Sequence, residues 1–166
     1  MIYTDIVFYE GLYPNDEIEN SFSRLSWDAS KLMDRLTTGV DGVKKLSVAY
    51  PTDEDDAETV MRCACAIIHI MFLVEQMVEA QAEAARIVKQ ADGTYQSGLV
   101  ASRSAGNETI SYATGSSLSN SGILSAAASD SLTREKLYRD TVTKYLSDVH
   151  DANGVNLLYM GRYPCV

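Results

Sequence analysis

The chain has 166 residues, of which 46% are hydrophobic and 22% are charged, so it is long enough for one globular domain with a real core. Its formal net charge is −9. Because proteins hold nucleic acid through Lys and Arg that neutralise phosphates, this charge argues against a protein that grips DNA or RNA. It is compatible with DNA that passes nearby without binding.

The cysteines and the N-terminus indicate a reduced, cytosolic setting. The chain has three cysteines, an odd number. Cys63 and Cys65 lie two positions apart on a predicted helix, where their side chains point to different faces and do not easily pair. The N-terminus has no basic region followed by an apolar core, so we expect no signal peptide.

The chain is predicted to begin with an extended lead and one amphipathic helix. Residues 1–15 are expected to be extended, because their apolar residues run into turn-forming Gly and Pro. A helix is predicted over about 16–38, with Asn15 or Asp16 as its cap and Gly39 after its end. Its apolar stripe, at steps of three and four, is Ile18, Phe22, Leu25, Ala29, Leu32, Met33 and Leu36.

A very long central helix is predicted over 52–90, after a connector at 39–51 that holds a brief helical turn. Thr52 or Asp53 can cap its start, no Gly or Pro interrupts it, and Gly93 supplies a stop. The apolar stretch is short and charged residues flank it, so we expect no membrane span. The positions that follow the helical period are Val60, Cys63, Ala64, Ile67, Ile70, Met71, Val74, Met77 and Val78.

The composition changes sharply at Asp92, and residues 92–130 are predicted to form a β-hairpin or flexible loop. The candidate strands are Leu99–Ser102 and Thr109–Ala113, with a turn at 104–107. A lone hairpin is marginal in water, and its unpaired edges can add strands to a neighbour. The residues expected in such an inter-subunit contact are Val100, Ser102, Gly106, Ile110 and Tyr112.

A last helix is predicted over 131–149, and an apolar, aromatic tail follows it at 154–166. A protein that buried none of this tail would expose a contiguous apolar surface, so the tail is the clearest indication of a partner. Aliphatic and aromatic anchors carry most of the energy of such interfaces. The candidate partner-binding residues are Leu157, Leu158, Tyr159, Met160, Arg162 and Tyr163.

Together these elements predict a mainly α protein with a single domain over residues 1–166. It is expected to be a helical bundle of about three main helices, one of them very long and central. An inserted β-hairpin or flexible loop and an extended C-terminal tail complete the prediction.

The sequence contains no catalytic constellation. It has no phosphate-binding P-loop, no dinucleotide fingerprint and no nucleophile elbow. Cys65 and His69 are four residues apart and could face one metal ion, but two ligands in apolar surroundings favour a core cysteine and a hydrogen-bonded core histidine. The acid run at 53–58 could be a cation site or a face for a basic partner, but a solvated helix start is favoured. We expect no enzymatic activity, no metal and no cofactor.

Several short motifs follow one another along the chain. In the first half they are Tyr9-x-Gly11, Ile18, Phe22-x-x-Leu25, Ala29, Asp34, Leu36-Thr37-x-Gly39 and an acid-led helix from Asp53 to Ala66. In the second half they are Ser102 to Gly106, Ser111-Tyr112, and Gly154 followed by Leu157-Leu158-Tyr159 and Gly161. Their order and spacing resemble those of tailed-bacteriophage head–tail connector proteins. The last motif differs from the family's in the inserted Val155-Asn156 and in Met160, which replaces an Arg.

The resemblance implies a structural virion protein of the phage neck: a ring, typically of twelve copies, that docks on the portal ring at the capsid vertex. It would link the DNA-filled head to the tail or to a stopper or tail-completion protein. The tail would reach the portal, and the loop would pack against neighbouring copies or the next neck protein. Duplex DNA would pass through the lumen unread, and assembly would take place in the host bacterial cytoplasm. A helical DNA-binding or regulatory protein of a phage or prophage is the alternative, although no basic recognition helix is visible.

Overall fold

A computed structural model of the protein describes residues 1–84 and 122–164, together with four short strands between them. Side chains are described within 1–82 and 122–164. This part of the chain is mainly helical, as predicted. Its helices are α1 (Ile6–Leu12), α2 (Glu19–Leu36), α3 (Lys45–Val48), α4 (Glu54–Ala84), α5 (Gly122–Ser129) and α6 (Ser131–Leu146). Its strands are β1 (Ile87–Lys89), β2 (Tyr95–Ser97), β3 (Ser102–Ala105) and β4 (Glu108–Ser111).

The chain divides into two compact units. Unit 1 consists of Met1–Phe72 and Glu135–Val166, so it contains α1 to α3, most of α4, most of α6 and the C-terminal segment. Unit 2 is Leu73–Arg134 and contains the four strands and α5. The candidate partner-binding residues of the C-terminal segment all belong to unit 1.

Helix α1 replaces the predicted extended lead. Asp5 caps it, because its carboxylate accepts a hydrogen bond from the backbone N–H of Phe8 at 2.9 Å. The β-branched and aromatic residues of α1 favour strands in isolation. Tyr9 is fully buried in the core, and this packing outweighs the local preference. The prediction of an extended segment is wrong over these residues.

Helix α2 confirms the predicted amphipathic helix. The predicted caps are wrong, because Ile18 holds the N-cap position without a side-chain hydrogen bond, while Asp16 bonds to Tyr9 and His69. The buried members of the predicted stripe within the helix are Phe22, Leu25, Ala29, Leu32 and Met33. The brief helical turn predicted in the connector is also present, as α3.

Helix α4 confirms the long central helix. It has 31 residues, which makes it about 46 Å long at a rise of 1.5 Å per residue. Asp53 caps it, with its Oδ1 accepting backbone hydrogen bonds from Asp55 at 3.1 Å and Asp56 at 3.2 Å. By length and composition Glu54–Ala82 could cross a membrane, with a mean hydropathy of 1.7, so the argument from shortness was wrong. Half of that apolar window is buried inside the protein.

Two antiparallel strand pairs follow α4 in unit 2. Strand β1 pairs with β2, placing Ile87 opposite Ser97, and β3 pairs with β4, placing Ser102 opposite Ser111. Strand β1 stands where the last turn of the long helix was predicted. Because Ile87 and Val88 are β-branched, they favour a strand over a helix.

The region 92–130 differs in detail from the predicted hairpin or flexible loop. The predicted strands Leu99–Ser102 and Thr109–Ala113 overlap β3 and β4, but both observed strands are displaced. Hairpin register depends on the turn as well as on propensity, and a short sequence run does not fix it. Helix α5 was not predicted, although its run Ile-Leu-Ser-Ala-Ala-Ala is rich in helix formers.

Helix α6 confirms the last predicted helix, although it ends at Leu146. Asp130 caps it, accepting the backbone N–H of Thr133 at 2.8 Å and that of Leu132 at 3.3 Å. Its apolar face enters the core of unit 1. The largest fully buried side chains are Tyr9, Lys45, Ile18, Leu25, Met33, Leu46, Ile67, Ile68, Leu146, Leu157, Val60 and Val142. One of them is a lysine, and another belongs to the C-terminal segment.

Candidate partner-binding surface

The C-terminal segment folds back onto unit 1 as a loop, here called the C-terminal loop (residues 149–163). Leu157 donates its backbone N–H to the carbonyl of Val149 at 2.9 Å, and its side chain has no exposed surface. Leu158 is half-buried and packs against the same core. The expectation of an extended, detached tail is therefore wrong here, because the subunit's own core buries Leu157.

Asp151 fixes the turn with which the C-terminal loop reverses direction. Its Oδ1 accepts the backbone N–H groups of Asn153 and Val155, both at 2.9 Å. Gly154 has a φ of +74°, which favours glycine at this position. The other carboxylate oxygen accepts the hydroxyl of Tyr163 at 2.5 Å. One carboxylate thus ties the beginning of the loop to its end.

Lys45 lies inside the C-terminal loop with no exposed surface. Its ammonium donates to the carbonyls of Asn156 at 3.4 Å and Leu157 at 2.9 Å, and also to the carbonyl of Tyr159. The same Nζ lies 5.7 Å from the centroid of the Tyr159 ring, a cation–π distance. Burial lowers the pKa of Lys45, although the carboxylates of Asp151 and Asp41 oppose that shift.

The connector between α2 and α3 borders the other side of the C-terminal loop. The backbone N–H of Val40 donates to the carbonyl of Met160 at 3.2 Å. The Asp41 carboxylate accepts the backbone N–H of Tyr163 at 2.6 Å. This bond is the main reason that the pKa of Asp41 lies below its usual value, and the charge of Arg162 acts in the same direction.

Two glycines allow the connector and the loop to approach closely. A Cβ on Gly39 would lie 2.9 Å from the carbonyl oxygen of Gly161 and 3.0 Å from Oδ1 of Asp41. A Cβ on Gly161 would lie 2.6 Å from Cε1 of Tyr159 and closer still to its hydroxyl. Gly39 is therefore required for this packing, because the obstacle to a Cβ is backbone, whereas at Gly161 the obstacle is the outer end of the half-exposed Tyr159 side chain.

Where the closed loop meets the connector, three apolar side chains are exposed: Val40 of the connector and Tyr159 and Met160 of the loop. They are here called the apolar patch. Their exposed fractions are 77%, 51% and 55%. The patch is continuous in the backbone, because Val40 is hydrogen-bonded to Met160. Two exposed basic residues, Arg162 and Lys44, follow the patch in the loop and the connector. The carboxylate of Asp41, next to Val40, is exposed as well and interacts with Arg162, so the border of the apolar patch carries both signs of charge.

The predicted partner-binding residues divide by burial. Tyr159, Met160 and Arg162 are exposed, so they remain candidates for contact with a partner. Leu157 is a core residue, and Tyr163 is half-buried with its hydroxyl and amide both bonded. Sequence reasoning missed Val40 and Lys45. A valine directly after Gly39 in a connector was the available indication for Val40, and no comparable pattern identifies Lys45.

The predicted inter-subunit residues are described only in part. Ser102 and Ile110 lie in β3 and β4, where Ser102 is opposite Ser111. Val100, Gly106 and Tyr112 lie outside the described residues.

A second polar cluster joins α1, the start of α2 and α4. Asp16 accepts the hydroxyl of Tyr9 at 2.6 Å, and its same oxygen lies 2.7 Å from Nδ1 of His69. The Tyr13 ring stacks on His69 with a centroid separation of 4.2 Å. Cys65 lies 3.2 Å from the hydroxyl of Thr4, away from any metal-ligating set. His69 is therefore hydrogen-bonded, as predicted, but its side chain is 27% exposed and it lies at the edge of the core, not inside it.

The chemistry available to this cluster is limited. Burial raises the pKa of Cys65, as it raises that of Cys63, and a fully buried thiol is not a nucleophile. Within the residues that the structure describes, no group of three His, Cys, Asp or Glu side chains could hold a metal ion. The cluster therefore fits a role in packing α1 onto α4.

Comparisons with known proteins do not place the chain in a family. No family model matches it, and neither the curated proteins nor the solved structures include a significant match. A function for the chain is therefore argued from its own residues.

Proposed function

We propose that the chain is a structural subunit of a bacteriophage neck, an adaptor that forms a ring with copies of itself and docks on the portal. In this role it joins the DNA-filled head to the tail or to a stopper protein. The proposal combines the order of the sequence motifs with one property of the C-terminal loop, which is its exposed apolar patch on a closed backbone.

The apolar patch is the observation that carries the proposal. Tyr159 and Met160 are more than half exposed, although the residues on either side of them are hydrogen-bonded to the subunit. A tyrosine and a methionine fixed in this way can enter a pocket of another protein while losing little conformational freedom. Such anchors contribute most of the binding energy of protein interfaces.

Charge indicates the kind of pocket that the patch fits. The chain as a whole carries a net charge of −9, but Arg162 and Lys44 are exposed beside the patch. The exposed carboxylate of Asp41 adds negative charge at the same border, so a matching surface on the portal would be an apolar pocket whose rim carries groups of both charges. The negative charge of the remaining surface suits a conduit through which DNA slides without binding.

The test is binding to the portal ring of the phage genome that encodes this chain. The double variant Tyr159→Ser/Met160→Ser removes two anchors of the patch. We expect it to fold like the wild type and to bind the portal at least about tenfold more weakly, which corresponds to about 1.4 kcal/mol. Sedimentation or mass photometry of mixtures measures this difference.

A matched control removes exposed apolar surface elsewhere on unit 1. Val7 in α1 and Trp27 in α2 are 75% and 54% exposed, so Val7→Ser/Trp27→Ser removes exposed apolar surface from elements other than the loop and the connector. We expect this variant to bind the portal like the wild type. Equal portal binding by the patch variant, or no portal binding by the wild type, would refute the proposal. A salt-dependent shift of duplex DNA at nanomolar protein would favour the regulatory alternative.

A further inference from the structure

We infer that the C-terminal loop meets its partner as a preformed surface, and that Lys45 is the positioning residue that gives this surface its shape. The identity of the partner rests on the proposed function. The preformed loop and the role of Lys45 rest on contacts within the subunit alone.

The first step of the argument is the environment of Lys45. An ammonium group has three N–H donors, and three carbonyls of the loop, those of Asn156, Leu157 and Tyr159, accept from it. A buried charge is costly unless its donors are satisfied. The loop is therefore held with these carbonyls turned inward onto the cation.

The second step links Lys45 to the exposed patch. The ammonium lies 5.7 Å from the Tyr159 ring centroid and bonds the carbonyl of the same residue, so one cation fixes both the backbone and the ring. The next residue, Met160, is held through its carbonyl by the N–H of Val40. Lys45 thus holds Tyr159 directly, and the bond from Val40 holds the neighbouring Met160.

The third step is that the loop is closed independently at its end. Tyr163 donates its hydroxyl to Asp151 and its backbone N–H to Asp41. Asn153 also donates to the Tyr163 hydroxyl at 2.8 Å. Since the loop is bonded at its start, middle and end, it does not need to become ordered when a partner binds.

This arrangement predicts a particular mode of docking. A detached tail would lose conformational freedom at each residue on binding, and its amides would gain protection only in the complex. A preformed loop has protected amides before binding, and loosening it weakens binding without removing any contact residue. Lys45 has no exposed surface, so its substitution removes no atom that the partner could contact directly.

The experiment compares Lys45→Met with Lys45→Arg in the full chain. Hydrogen exchange is measured at the amides of Val40 and Leu157, which bond across the loop, and at amides of α2 as the internal reference. We expect K45M to accelerate exchange at the loop amides at least tenfold relative to α2 and to weaken portal binding at least tenfold. K45R keeps a cation with N–H donors, so we expect its loop amides to exchange more slowly than those of K45M and its portal binding to be tighter.

Two results would overturn the inference. One is unchanged exchange at Val40 and Leu157 in K45M, and the other is a loosened loop that binds the portal as tightly as the wild type. If K45M does not fold, hydrogen exchange of the wild-type protein tests whether the loop is preformed. The amides of Val40 and Leu157 are expected to be protected at least 100-fold in the free subunit, and protection that arises only in the complex would contradict a preformed loop.

The exchange measurements need no portal, so they separate this inference from the proposed function. If the free loop is protected and depends on Lys45 but the wild type binds no portal, the proposed partner is wrong and the preformed loop stands. If the wild type binds the portal through a loop that is unprotected beforehand, the adaptor role stands and the inference fails.

Discussion

Replacement of Leu157 by alanine tests whether the C-terminal loop is part of the folded subunit. The side chain has no exposed surface and lies in the core of unit 1 with residues of α2, α4 and α6. Truncating such a leucine removes its buried methyl groups and leaves a cavity, at a cost of about 2–5 kcal/mol in the free energy of unfolding. For a chain of this length, about 1 kcal/mol lowers Tm by about 2–4 °C, so Leu157→Ala should lower it by about 4–20 °C.

The assay is urea unfolding followed by circular dichroism, with Met160→Ala as the matched control. Met160 is three residues further along the same loop but 55% exposed, so its truncation should change the free energy of unfolding by less than about 0.5 kcal/mol. If Leu157→Ala cost no more than Met160→Ala, the loop would not be packed in the core. The argument for a fixed apolar patch would then be refuted.

Two further predictions concern a close approach and a buried thiol. Gly39→Ala places a Cβ 2.9 Å from the carbonyl oxygen of Gly161, so unfolding measurements should show a loss of about 1–3 kcal/mol, and an unchanged stability would contradict the packing. Burial raises the pKa of Cys63 from 9.0 to about 12, so the unfolded state loses this proton first and stability should fall as pH rises from 9 towards 12. Between these pH values the Cys63 thiol should lower the free energy of unfolding by about 1.4 kcal/mol per pH unit. Cys63→Ala should reduce the measured pH dependence by that amount, and an unchanged pH dependence would contradict a thiol that stays protonated in the folded protein.

The helices were the most predictable part of this fold. The stripe from Phe22 to Met33 and the period around Ile67 are local patterns, and both helices form where the patterns lie. Helix α1 was not predicted because its residues favour strands. Its helical conformation is stabilised by the burial of Tyr9 against segments distant in sequence. Local propensity does not contain that information.

The C-terminal loop shows the limit of reading function from hydrophobicity. An apolar segment beyond the last helix was interpreted as a detached anchor for a partner. Leu157 instead packs in the subunit's own core, while Tyr159 and Met160 stay exposed. Lys45 bonds the closed loop across 111 to 114 positions of sequence, and no pattern in a single sequence predicts such contacts.

The polar cluster of α1 and α4 was predictable in kind but not in detail. The sequence favoured a hydrogen-bonded core histidine at position 69, and the structure provides Asp16 as its partner. Asp16 had been assigned to capping α2 because it stands just before that helix. Its carboxylate bonds to Tyr9 and His69 instead, and Ile18 holds the N-cap position without side-chain help.

Electron microscopy of the purified subunit mixed with its portal ring tests the adaptor role most directly. We predict a ring of subunits on one end of the portal, with Tyr159 and Met160 of each copy against the portal surface. Particles in which the portal stays bare, or in which subunits attach through a surface remote from the C-terminal loop, would contradict the account.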